Sequence, residues 1–160
     1  KKGTGKIMKM IEQLLAQESG YFTDRSVLEI ACGGAELTIL AARTAKEVYC
    51  IDIERKRVPT VLNKIDNVYF KIMDACSMEF NKDKFDTAVI WNAVGHLDNL
   101  PRVISESMRV LKPEGVLLIC ASWKLDKVIM EESLLPFLDE RHYSYIVKNG
   151  KFDVIVIKKL

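Results

Sequence analysis

None of the four cysteines, Cys32, Cys50, Cys76 and Cys120, forms a Cys-x-x-Cys pair. Without that spacing there is no zinc-site pattern and no metal site is expected. A disulfide framework does not suit a domain with this much core, so the four read as reduced core or pocket-wall residues in a cytoplasmic setting. No apolar run reaches the ~20 residues of a membrane span, and no signal-peptide pattern is visible. Charge of one sign is lacking too. The 24 Lys and Arg nearly balance the 22 Asp and Glu, for a net +2, which argues against strong nucleic-acid binding. Lys1, Lys2, Lys6 and Lys9 read as a solvated tail. The first residue is not Met, as in a fragment of a longer chain. What is present is 160 residues, 49% hydrophobic and 29% charged. That suffices for one domain over 1–160, burying roughly 70% of its unfolded surface.

Apolar spacing at Ile7, Met8, Ile11, Leu14 and Leu15 predicts a helix over about 5–17, stopped by Gly20. Strands are expected at Ser26–Ile30, Val48–Asp52, Val68–Met73, Thr87–Trp91 and Val116–Ala121. Between them fall a helix over 36–43, a weaker one over 55–64 that Pro59 either starts or kinks, and one over 100–111. Asp98, Asn99 and Pro101 supply cap and first-turn chemistry for the last of these. Lys112-Pro113-Glu114-Gly115 reads as a turn. A helical stretch over 126–140, broken near Pro136, leads to two β-rich runs, Tyr143–Val147 and Phe152–Ile157, joined through Asn149-Gly150 as a hairpin. Strands alternating with helices predict an α/β fold, a mostly parallel sheet with helices on both faces, closed by an antiparallel hairpin. The parts are an N-terminal helix over 1–20, an α/β core over 26–122 and the hairpin over 143–158.

In such sheets ligands bind beyond the carboxyl ends of the strands. The first strand, Val27-Leu28-Glu29-Ile30, runs into Ala31-Cys32-Gly33-Gly34, a small-residue turn that lets a ligand approach the backbone before a helix start. It falls short of Gly-x-Gly-x-x-Gly because Ala31 and Ala35 occupy expected glycine positions. The second strand ends in Asp52, about 20 residues on, where a carboxylate accepts from a ribose or caps the next helix. The third ends in Asp74, either an acceptor for an adenine amine or a turn residue. The fourth ends in Trp91-Asn92-Ala93-Val94-Gly95-His96, a mixture able to line a pocket.

From about residue 26 onward the chain resembles the class I S-adenosylmethionine-dependent methyltransferases, in particular their small-molecule branch. The resemblance rests on the acid–x–small–Cys–Gly loop, Asp52, Asp74-Ala75, Phe85-Asp86, Arg109-Val110-Leu111-Lys112-Pro113-x-Gly115 and the terminal hairpin. It implies a Rossmann-like seven-stranded sheet whose seventh strand inserts antiparallel between the fifth and sixth. It implies S-adenosylmethionine as cofactor and S-adenosylhomocysteine as product. By position, Glu29, Ala31, Cys32, Gly33 and Gly34 would surround the methionine part, and Asp52 would bind the ribose. Ile53 would lie on the adenine, with Asp74 and Ala75 at its amine. Asn92 would close the sulfonium side. A methyl group on Ala35 would crowd the cofactor, and positive φ there would strain the backbone. Met73 stands where a glycine often precedes the Asp.

His96 is the candidate catalytic base, by its intrinsic pKa range and its place after the fourth strand; the other reading is a wall residue. Trp91 and Trp123 read as core or pocket wall, and His142 has no assigned role. There is no Asn-Pro-Pro-Tyr after the fourth strand and no Pro-Cys nucleophile, so nucleobase and glutamine methylation patterns are absent. A small-molecule acceptor is expected, with no membrane partner; either a bulky substrate sits on an open face, or a homodimer or partner chain completes the pocket. Two other readings stand beside this one: a non-catalytic module of methyltransferase type, and a nicotinamide-dependent oxidoreductase.

Overall fold

In the computed structural model, which describes the backbone of residues 2–160 and side chains from residue 5, seven strands form one sheet in the order β3-β2-β1-β4-β5-β7-β6. They are β1 (Ser26–Ile30), β2 (Glu47–Asp52), β3 (Val68–Ile72), β4 (Phe85–Trp91), β5 (Leu111–Ala121), β6 (Ser144–Lys148) and β7 (Asp153–Lys158). The first five are parallel. β7 runs antiparallel between β5 and β6.

Side-chain alternation sorts the apolar residues onto two faces. Val89, Val116, Leu118, Cys120, Val154 and Val156 share one face with Ile11 and Leu14 of α1 (Lys2–Gln17) and Leu37 and Leu40 of α2 (Glu36–Ala41). Ala88, Ile90, Leu117, Ile119, Ile155 and Ile157 share the other with α3 (Leu100–Val110) and the segment that follows β5. Both sides of the central strands are thus dry, which is why β5 reads as an unbroken apolar run rather than an alternating one. No helix among the described residues is long and apolar enough to cross a membrane.

Three local expectations differ from the structure. Residues 55–64 form only a 3-10 turn at Thr60–Lys64. Pro59 sits before that turn in extended conformation, so it starts no α-helix. The stretch after β5 begins earlier, as α4 (Lys124–Ile129), widens into a π-turn at Met130–Leu134 and resumes as α5 (Leu135–Glu140). Pro136 lies at the start of α5, where its missing N–H costs least; the widened turn replaces the expected break. Gly150 does not take positive φ, so the hairpin turns through a longer loop in which Asp153 accepts the Gly150 amide at 3.2 Å.

The two motifs flanking β4 and β5 brace the end of the sheet away from the strand C-termini. Asp86 accepts the Ser26 amide at 2.8 Å and the Lys112 ammonium at 3.3 Å. Residues 112–115 bulge between the pairs Phe85–Leu111 and Thr87–Val116, with Glu114 at φ 71. A Cβ on Gly115 would stand 2.8 Å from the Lys112 carbonyl oxygen and 2.9 Å from that of Asp86. Only glycine fits this bulge. Arg109 donates to the Phe80 and Met78 carbonyls at 2.8 Å each and pairs with Glu106 at 2.8 Å. That guanidinium holds the Glu106 carboxyl below the ordinary carboxylate range. These residues organise the scaffold and leave the opposite end free for a ligand.

Candidate active site

A cavity of about 810 Å³ opens at the carboxyl ends of the parallel strands. This is large enough for a drug-sized ligand. Residues following β1, β2, β3, β4 and β5 all contribute to its wall. Every position singled out from the sequence as cofactor-binding lies on it: Glu29, Ala31–Gly34, Asp52, Ile53, Asp74, Ala75 and Asn92. So does His96.

The loop after β1 owes its shape to residues from both flanking elements. Cys32 donates its amide to the Ile51 carbonyl at 3.0 Å, and Ala35 donates to Cys32 at 2.8 Å. Gly33 donates to Asp52 Oδ2 at 2.9 Å. Three alternate residues of the loop are left-handed: Ala31 at φ 57, Gly33 at φ 53 and Ala35 at φ 60. An alanine in that region costs on the order of 1 kcal/mol or more, and such strain collects at ligand sites. Ala35 therefore does carry the expected backbone strain. Its methyl group, however, is fully buried in the core beneath α2 and forms no part of the cavity wall, so the expected crowding does not occur. α2 is also shorter than expected, six residues rather than eight, and the loop spends several of its amides on protein acceptors.

Glu29 lies under this loop. It accepts the Thr38 amide at 3.1 Å and the Thr38 hydroxyl at 2.7 Å, tying β1 to α2. Burial pushes its carboxyl well above the ordinary range, against the pull of the Thr38 hydrogen bonds. Asp52 Oδ1 accepts the Glu54 amide at 3.2 Å. Each Asp52 oxygen keeps a lone pair beyond its single amide, so the carboxylate can also accept ligand hydroxyls. Asp74 is exposed at the wall; its Oδ1 accepts the Cys76 amide at 2.8 Å. Ile53 is 68% exposed, an apolar surface with no protein cover. A nucleoside with an amino-acid tail fits these groups: two accepting carboxylates after neighbouring strands, an uncovered isoleucine, and a small-residue loop at the inner end.

Asn92 lies on the cavity wall and also carries a bond between strands that the sequence did not show. It is buried at φ 51, with its amide nitrogen 2.7 Å from the Ser122 hydroxyl and its oxygen accepting the Ser122 amide at 2.7 Å. This pair clamps the ends of β4 and β5 and leaves one N–H and one oxygen lone pair of the amide uncommitted. His96 ends a short turn, Val94–His96, and is exposed on the cavity side. Trp91 forms part of the inner wall, edge-on to Phe152 at 5.6 Å.

Two wall residues, Arg57 and Ile7, carry no sequence signal for the cavity, whereas Trp123 is on the wall, one of the two places expected for it. Arg57 presents its guanidinium to the loop, 3.2 Å from where a Cβ on Gly33 would stand. Ile7 of α1 and Trp123 face the cavity from opposite segments of the chain. Asp126 in α4, 95% buried, accepts the Gly95 amide at 3.2 Å and so fixes the turn that carries His96. Among the described residues, no group of three or more His, Cys, Asp or Glu side chains is arranged to hold a metal.

Residues 28–119 match the family model of a methyltransferase domain. The chain belongs to the class I S-adenosylmethionine-dependent methyltransferases. This methyltransferase chain is 26% identical over 162 residues to a demethylmenaquinone methyltransferase of Leptospira interrogans, covering 89% of the chain and 63% of that protein. It thus spans under two thirds of the length of that curated relative. Its fold is that of a S-adenosylmethionine-dependent methyltransferase from Aquifex aeolicus, with a TM-score of 0.81 at 17% identity over 94% of the chain and 89% of that structure. The N-methyltransferase NodS of Bradyrhizobium japonicum, solved with S-adenosyl-L-homocysteine, has a TM-score of 0.73 at 15% identity, covering 94% of the chain and 86% of that structure.

Proposed function

We propose that this chain transfers a methyl group from S-adenosylmethionine to a small-molecule acceptor. The observation that carries the reading is the pair Asp52 and Asp74, side by side at consecutive strand ends on the wall of one cavity with the Ala31–Gly34 loop. Asp52 accepts from the ribose, and Asp74 accepts from the adenine amine through its second oxygen. Ile53 gives the base an apolar face. When bound, the cofactor supplies an electrophilic methyl group on a cationic sulfur. The protein's main task is alignment of that methyl with the acceptor, an effect worth up to roughly 7–11 kcal/mol. His96 takes the proton of an acceptor hydroxyl if one must be lost. The name of the Leptospira interrogans relative supports a small-molecule acceptor, and the acceptor, or a second chain, completes the wall of the cavity.

The two competing readings fare differently. The antiparallel β7 between β5 and β6 weighs against a nicotinamide-dependent oxidoreductase. A non-catalytic module loses the support it drew from Ala35, whose methyl group stays out of the cavity.

The test is calorimetric titration with S-adenosylmethionine, S-adenosylhomocysteine and NAD, followed by turnover of the radiolabelled methyl group on a panel of phenols, amines and thiols. Binding of the two sulfur compounds with transfer to at least one acceptor is the expected result. Binding without transfer to any acceptor supports the module instead. If His96 is the base, His96→Ala lowers kcat by roughly 100-fold or more toward hydroxyl acceptors while leaving S-adenosylhomocysteine affinity unchanged.

A further inference from the structure

Asp126 is an acidic residue in the first turn of α4 and is only 5% exposed. Its Oδ1 accepts the Gly95 amide at 3.2 Å, and its Oδ2 finds no hydrogen-bond partner among the described residues. A buried carboxyl group with one unpaired oxygen is costly, and an apolar side chain would suit the same place better for stability alone. The nearby helix N-terminus offsets part of that cost. What the placement achieves is visible in the contact itself. Gly95 is the centre of the Val94–His96 turn, and His96 lies on the cavity wall.

The same stretch of chain is tied at its other end. The Asn92 amide donates to the Cys120 carbonyl at 2.9 Å, and the Asn92 side chain bonds both the amide and the hydroxyl of Ser122 at 2.7 Å. Within the turn, the His96 amide donates to the Ala93 carbonyl at 2.9 Å. Residues 92–96 are thus held at two points by residues 120–126, which end β5 and begin α4. Asn92 fixes where the turn begins, and Asp126 fixes the peptide next to His96. The fit at the second point is close. A Cβ on Gly95 would stand 2.8 Å from Asp126 Oδ1, so the glycine and the carboxyl group specify each other.

We infer that Asp126 is a positioning residue of the transfer reaction: through the Gly95 amide it holds the His96 imidazole where it meets an acceptor hydroxyl. This rests on the reading of His96 as the base of a methyltransferase. Asp126 itself is not part of the cavity wall. It lies beyond β5, away from Asp52 and Asp74 at the ends of β2 and β3. Its removal should therefore act on turnover and spare the cofactor. An apolar residue in its place would leave the turn on one anchor, and misplacement of a reacting group by about 1 Å can cost roughly 100-fold in rate.

The experiment compares Asp126→Leu, which removes the acceptor, with Asp126→Asn, which keeps an acceptor oxygen for Gly95. It reads exchange of the Gly95 amide by NMR, S-adenosylhomocysteine affinity by calorimetry and turnover of the radiolabelled methyl group on phenols. Asp126→Leu should lose protection of the Gly95 amide, keep S-adenosylhomocysteine affinity within about twofold and lower kcat by roughly 10- to 100-fold. Asp126→Asn should recover most of both losses. Gly95→Ala, which presses on the same contact from the other side, should lower kcat as well. In a His96→Ala background, Asp126→Leu should lower kcat no further, because residues that act as a unit are not additive. A Gly95 amide unprotected in the native protein overturns the inference. So does an effect of Asp126→Leu that persists undiminished without His96, or one that weakens S-adenosylhomocysteine binding as much as turnover. If His96→Ala slows turnover and Asp126→Leu does not, only this inference fails. If His96→Ala leaves turnover unchanged, the base reading fails and this inference with it, while methyl transfer itself stands. Cofactor binding without transfer to any acceptor removes the methyltransferase reading and this inference together.

Discussion

The Asp52 carboxylate accepts the Gly33 amide at 2.9 Å, joining the end of β2 to the loop after β1. One side chain thus shapes the inner loop and faces the cavity. Asp52→Ala should remove both effects. S-adenosylhomocysteine affinity is expected to fall by roughly 10- to 100-fold, in line with loss of hydrogen bonds to a charged group. The loss of the Gly33 tie should cost about 1 kcal/mol of stability. Asp52→Asn keeps one acceptor oxygen and should fall between. Calorimetry and urea unfolding on the same three proteins measure the two effects separately.

Glu29 should make stability depend on pH. Its folded-state pKa is raised by burial, so the neutral carboxyl is the one the fold favours. Its contribution is fully present below the ordinary glutamate pKa of about 4.3 and is lost as pH rises through the raised value. Glu29→Gln retains an acceptor for Thr38 and carries no proton to lose. The variant should therefore gain on the native protein as pH rises from about 4.3, by ~1.4 kcal/mol for each unit by which the pKa is raised. Urea midpoints across pH 4 to 8, an assay range of about four units, check this; parallel curves for the two proteins would remove Glu29 as the titrating group.

Ala35 and Ala41 are both fully buried alanines, and they should respond unequally to glycine. Ala41→Gly loses a buried methyl group and weakens α2, by about 1 kcal/mol from helix propensity alone. Ala35→Gly loses a similar methyl group but relieves a left-handed alanine at φ 60. Ala35→Gly should be the milder change by roughly 1–2 kcal/mol. Chemical denaturation of both variants gives the difference directly.

Cys76 should report on cavity occupancy. Cys32, Cys50 and Cys120 are buried, whereas Cys76 is half-buried on the cavity wall beside Asp74. Burial and the Asp74 carboxylate raise its thiol pKa, so it reacts slowly at neutral pH and faster as pH rises. Iodoacetamide at about pH 9, near the free-thiol pKa, should label Cys76 first, as read by peptide mass. S-adenosylhomocysteine at saturating concentration should slow that labelling several-fold.

How much of this could be read from the chain follows from the range of the interactions involved. β1 and the Val116–Ala121 part of β5 announce themselves because a strand buried on both faces is a short apolar run. Asp52 and Asp74 are visible because Asp52 closes the β-rich run Val48–Asp52 and Asp74 follows the run Val68–Met73, although β3 itself is largely exposed. The 55–64 segment misleads because local propensity there is not backed by an apolar face; only Leu62 of its 3-10 turn is buried. The π-turn before Pro136 depends on how Met130 and Leu134 pack under the sheet. The Asn92–Ser122 clamp joins residues 30 apart, and the Asp126–Gly95 contact joins residues 31 apart. No local pattern encodes either. Ala35 was visible as an anomaly, but the direction of its methyl group is a property of the assembled core.

The position of β7 has a consequence for how the protein is made. β5 sits near the middle of the sheet, yet one of its two edges is covered only by Asp153–Lys158. During synthesis at roughly 5–20 residues per second, the chain through β5 emerges well before its partner strand. For that interval the most apolar strand of the protein offers a bare edge and an unfinished ladder, the situation in which intermolecular pairing begins. Ribosome-bound chains ending before residue 150 should therefore need chaperone cover, and release of the last strand should be the event that makes the sheet self-sufficient.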